Sequence, residues 1–217
     1  MHVSLNEIEY EVRKAARGAG LVWGQAEEAG KAARWLAARN VDALPALADL
    51  LDAHAEGRLG IKMDVTGSPW RGADGPVSPL VAGPVVVDHA FVLAAHGRIE
   101  LDVMPRPIML APFAATAARL VGATIDLVQS TCRTPFTSEG TSRAALGALL
   151  PIETTNRIWC VRSPGHIPTP AAHSSNMGPN IDPDVWNRLS RLARRTYAPA
   201  STLSHERGAG AGAIDND

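Results

Sequence analysis

The side chains able to act as nucleophile, base or ligand stand far apart in this sequence. Cys132, in STCRTPF, closes an apolar β-type run and precedes Arg133, whose charge would lower a thiol pKa. With a histidine folded against it, Cys132 would be a nucleophile; without one it is a small buried thiol, as Cys160 in RIWCVRS is expected to be. The histidines in question are His89, His166 and His173. Asp88 and His89 leave the VVVD run as an acid and an imidazole, but neighbours on a strand face opposite ways and cannot orient one another. His166 and His173 flank a Pro-rich stretch with no carboxylate or cysteine at ligand spacing between them, so no metal site is read there.

Binding residues are easier to nominate. The last helix carries Arg188, Arg191 and Arg195 at i, i+3 and i+7, with Arg194 beside them. Arginine forks suit carboxylates and phosphates, although a solvated helix face has the same pattern. Trp70 and Arg71, in GSPWRG, either close over a ligand or anchor their loop to the body of the protein. Trp23, Trp35 and Trp186 read as core or subunit-contact residues. The closing ERGAGAGAIDND lacks the strand before and helix behind that a dinucleotide fingerprint needs. It reads either as a disordered end or as an extended tail that places Asp215 and Asn216 at a site.

The expected elements give an α+β chain of one domain. Residues 1–57 form a helical unit, 58–84 a Gly/Pro loop, 85–163 a strand-containing region, 182–197 a helix and 198–217 the tail. Ser4 and Glu7 make a capping box for a first helix that Gly18 stops in a left-handed turn. A second helix from about Gly24 to Arg39 carries a small-residue stripe that admits a close neighbour, and Asp42 caps a third that ends at Gly57. VVVD, IELDVM, TIDLVQ and RIWCVRS read as strands. PFAATAARLVGA reads as a helix with Phe113, Ala117 and Leu120 or Val121 inward, and Asp182-Pro183 opens the last helix.

Composition narrows the classes. The chain has 217 residues, 46% of them hydrophobic and 20% charged, with a formal net charge of -1. That is globular composition without a field to attract nucleic acid or an anionic membrane. Two cysteines exclude a disulfide scaffold, and the first residues lack the apolar stretch of a secretion signal. A cytoplasmic protein is expected, and no feature specifies a cofactor.

Residues 4–40, SLNEIEYEVRKAARGAGLVWGQAEEAGKAARWLAARN, and 191–217, RLARRTYAPASTLSHERGAGAGAIDND, resemble the bacterial family called domain of unknown function 3726. The tail departs from that pattern in Ala213-Ile214 before the final Asp-Asn-Asp. The resemblance brings no activity, so no catalytic residue carries over with it. The functional expectation is a small-molecule catabolic enzyme, or the small subunit of one, with a site between the helical unit and the strands. Arg17, the Gly/Pro loop and the tail would contribute to it, His89, Cys132, His166, His173 and Asp215 would be the chemical groups, and a small anionic metabolite the ligand. The competing expectation is a non-catalytic binding or assembly protein that offers its Ala/Gly helix face and Arg helix to a homo- or hetero-oligomeric partner.

Overall fold

The computed structural model describes residues 1–130, 132–137, 140–163 and 179–197. The fold is α+β, with a helical N-terminal unit. Helix α1 (Leu5–Gly18) starts in the expected capping box: Glu7 N–H donates to Ser4 Oγ at 3.2 Å, and Ser4 N–H to Glu7 Oε2 at 2.8 Å. Ile8, Val12, Ala15 and Ala16 form its buried stripe. Gly18 is not the left-handed stop. It is the last helical residue, and the left-handed residue is Gly20, at φ +101°.

Helix α2 (Trp23–Ala37) lies against α1 through its small residues. A Cβ on Gly30 would stand 2.7 Å from the Glu9 carbonyl oxygen, so only glycine admits this approach. Helix α3 (Leu44–Ala55) has Ala43 at its cap, and Asp42 makes no capping bond to it. Pro45 supplies the fixed φ of the first turn instead. Gly57, at φ +70°, follows its end.

A short hairpin, β1 (Met63–Asp64) with β2 (Arg71–Gly72), occupies the Gly/Pro region. The next element corrects the sequence reading, because VVVD is helical. Helix α4 (Pro79–Asp88) begins inside the stretch read as loop, with Ser78 Oγ accepting from Leu80 N–H at 3.3 Å and Pro79 in the first turn. It continues through Pro84 to the β-branched run and packs on α6 (Ala111–Val121), where the Phe113 ring fills the space a side chain at Gly83 would take. Burial here outweighs the β preference of three successive valines. Helix α5 (Ala90–His96) follows. No single helix among the described residues is long and apolar enough to cross a membrane.

The main sheet is antiparallel throughout, in the order β3 (Arg98–Leu101), β8 (Ile158–Ser163), β5 (Thr124–Gln129), β6 (Cys132–Phe136). The IELDVM run divides, with β3 ending at Leu101 and β4 (Met104–Pro105) pairing with β7 (Thr154–Thr155). Register places Ile99, Leu101, Ile125, Leu127, Phe136, Ile158 and Cys160 on one face, all buried. A short 3-10 turn (Pro107–Leu110) leads into α6, whose Phe113 and Ala117 are buried as expected while Leu120 is 61% exposed. Helix α7 (Arg143–Leu149) lies beside β6.

Helix α8 (Pro183–Arg194) returns to the N-terminal unit. Asp182 caps it and Val185, Leu189, Leu192 and Ala193 are buried, as its spacing predicts. A Cβ on Gly18 would overlap the Leu192 carbonyl, and Ser190 Oγ donates to Glu11 Oε1 at 2.6 Å. Gly18 therefore sets how closely α8 lies on α1, and hence where the residues just beyond α8 stand.

Candidate functional site

Opposite its buried stripe, α1 presents Tyr10, Arg13, Lys14 and Arg17, at i, i+3, i+4 and i+7. The first residue of α2, Trp23, flanks this face from one side. From the other, Arg195, Thr196 and Tyr197 continue past α8, with Thr196 and Tyr197 N–H groups donating to Ala193 and Arg194 carbonyls at 3.1 Å each. Together they line an open cleft of about 470 Å³, to which no carboxylate among the described residues contributes.

Rings hold the cations in place there. The Arg17 guanidinium lies 5.0 Å from the Trp23 ring centroid and donates to the Leu21 carbonyl. Arg13 lies 5.3 Å and Lys14 5.0 Å from the centre of the Tyr10 ring. Lys14 is also 4.0 Å from the Tyr197 centroid, and its ammonium donates to the Tyr197 hydroxyl. That hydroxyl raises the Lys14 pKa above the ordinary lysine value, so the group stays charged. Arg13, Lys14, Arg17 and Arg195 make no ion pair with any described carboxylate. Exposed cation–π contacts are each worth only about 0.5–1 kcal/mol, and Glu11 acts on Lys14 through its charge without pairing with it, so among the described residues these cations lack a direct acidic partner.

Two arginines of α8 pair with carboxylates of α3. Arg188 donates to Asp49 at 2.8 Å and to Asp52 at 2.9 and 3.1 Å, and Asp49 also takes Arg106 at 2.7 Å. Arg191 stands 3.6 Å from Asp52. The arginine row is therefore divided: two members tie α8 to α3, and Arg195 faces the cleft.

Of the residues nominated from sequence, Arg17 lines the cleft, and Trp70, Arg71, His89, Cys132 and Arg191 do not. Trp70 is buried and fastens its loop to β3, donating its N–H to the Glu100 carbonyl at 2.8 Å and accepting from Asp102 N–H at 2.9 Å. Arg71 is exposed, opposite Asp64 on the small hairpin. His89 is the C-cap of α4, not a strand end. Its Nδ1–H donates to the Val85 carbonyl at 2.9 Å, and its ring packs at 5.3 Å on Trp70 and 5.7 Å on Phe91. Cys132 is half-buried, with its sulfur 4.0 Å from Thr134 Oγ1 and no hydrogen bond to a described histidine. Burial pushes the Cys160 thiol up to about 12. His166, His173, Asp215 and Asn216 lie outside the described residues. Among the described residues no three His, Cys, Asp or Glu side chains gather closely enough to hold a metal ion.

Tyr10, Arg13, Lys14 and Tyr197 were not singled out by sequence. The α1 spacing was the available signal, and Trp23, read as a core or contact residue, is 65% exposed at the cleft.

Residues 3–74 match the model of a family described as a protein of unknown function (DUF3726). The matched segment carries α1 and Trp23, hence most of the cleft wall, and its start agrees with the resemblance read from residues 4–40. No curated protein matches the chain. Among solved structures, malate dehydrogenase from Entamoeba histolytica is similar with a TM-score of 0.42 and 13% identity, over 58% of this chain and 38% of that one. Malate dehydrogenase from Pyrococcus horikoshii OT3 is similar with a TM-score of 0.46 and 13% identity, over 61% of this chain and 41% of that one. The chain thus spans about two fifths of the length of these two structures.

Proposed function

We propose that this protein binds a small anionic molecule in the cleft between α1, the start of α2 and the end of α8, as a bacterial cytoplasmic binding protein. What carries the reading is the cleft's charge: among the described residues four cations line it and no carboxylate does. Elsewhere in the fold, Arg34, Arg106, Arg157 and Arg188 each have a carboxylate partner. An incoming carboxylate or phosphate would meet arginine forks from two helices and a lysine between them, and would relieve their mutual repulsion. The free thiols Cys132 and Cys160 suit a reducing compartment.

Thermal shift with inorganic phosphate and with benzoate, at ionic strength held constant by chloride, tests the reading. A saturating ligand at 100 times its Kd adds about 2.7 kcal/mol, or roughly 5–10 °C for a chain of this size. The expected outcome is a saturable rise with at least one anion that needs about tenfold more ligand in an Arg17→Ala, Arg195→Ala double variant. A rise of equal midpoint in that variant, or none with either anion, would refute it.

A further inference from the structure

Both tyrosines of the chain stand at this one cleft, with Tyr10 54% and Tyr197 60% exposed, beside Trp23 at 65%. A site for a bare inorganic anion needs donors and gains nothing from rings held in water. Each of these rings has a cation against it, at 4.0 to 5.3 Å from its centre: Arg17 at Trp23, Lys14 at Tyr197, and both Arg13 and Lys14 at Tyr10. A cation draws on the π density of the ring beneath it, which makes the opposite face a better platform for an electron-rich, anionic ring. The volume, about 470 Å³, is that of a small-molecule site and far exceeds a single phosphate.

Resting on the reading of the cleft as an anion site, we infer that its ligand is a planar aromatic anion. The ring lies on Trp23, and the carboxylate or phosphate it bears reaches toward the cations of the cleft beyond that ring, Lys14 among them. The shared chemistry is a flat ring with a negative group one bond or one sugar away, which aromatic carboxylates and nucleoside monophosphates both supply.

Calorimetric titration at constant ionic strength separates these sources with matched pairs: benzoate against cyclohexanecarboxylate, and AMP against ribose 5-phosphate, with inorganic phosphate alongside. In at least one pair the aromatic member binds about fivefold or more tightly than its saturated partner, and that pair identifies the anion. Trp23→Leu abolishes the preference within that pair, bringing the aromatic member down to the affinity of its saturated partner. Because Trp23 is exposed, this variant keeps the parent's thermal midpoint. Equal affinities within both pairs, while anions still bind, overturn the aromatic inference alone. Absence of binding by every anion, phosphate included, overturns the anion reading beneath it. A single-stranded oligonucleotide that binds a hundredfold tighter than AMP overturns the small-molecule assignment.

Discussion

His54 sits between Ala53 and Ala55 with nothing in its spacing to mark it, yet it is among the most constrained ionisable groups in the fold. It is 6% exposed in the last turn of α3, with Nε2 2.8 Å from Ser78 Oγ and Nδ1 without a partner. Ser78 caps α4, so a charged imidazole would also face the positive end of that helix. Burial pushes the His54 pKa down to about 4, against the opposing pull of Asp74. The unfolded chain takes up this proton near pH 6.5 and the folded protein only near 4, so protonation favours unfolding between the two. His54 therefore contributes its full stability above pH 6.5, and the contribution falls as pH drops toward 4. Urea denaturation should show a loss of about 2 kcal/mol between pH 6.5 and 5, absent in His54→Leu. An equal slope in the variant would assign the loss to other groups.

Whether an element was legible depended on where its decisive contacts lay. Helices α1 and α8 carry their own punctuation, Ser4 with Glu7 and Asp182 with Pro183, and their starts and buried faces follow from spacing alone, whereas α8 ends at Arg194, three residues short of the expected 197. Helix α4 was misread because Val85, Val86 and Val87 prefer strands locally, whereas its helix is fixed upstream by Ser78 and Pro79 and laterally by α6. Gly18 was misassigned for a related reason: its purpose is a backbone 174 residues away, at Leu192. Gly18→Ala should force α8 outward. Overpacking of this kind costs about 1–3 kcal/mol, less up to about 1 kcal/mol of helix propensity gained, and guanidinium denaturation should show a net loss. Because Arg195 and Tyr197 ride on α8, the variant should also bind anions more weakly; undiminished affinity would mean that the cleft does not depend on this approach.

At the scale of the molecule, the cleft joins residues 10–23 to residues 195–197, and no local pattern announces that meeting. On α1 alone, Tyr10, Arg13, Lys14 and Arg17 have the look of a solvated face, and they become a candidate site once a second cationic segment closes over them with no acid among the described residues at the cleft.

The borders of the β3-β8-β5-β6 sheet are closed in a different way. On the β3 side, Trp70 occupies the Glu100 carbonyl and the Asp102 amide. On the β6 side, Pro135 offers no N–H, and its carbonyl is taken by the Thr141 hydroxyl at 2.6 Å. Among the described residues each border thus has backbone groups already engaged, which makes it a poorer template for a strand from another molecule. The tryptophan nominated as a ligand clamp is instead the anchor of the loop whose backbone covers this edge, its ring being buried. Trp70→Gly keeps the two backbone bonds but removes the anchor, and should raise light scattering on mild heating before the parent does, whereas identical scattering curves would show that the cover needs no such anchor.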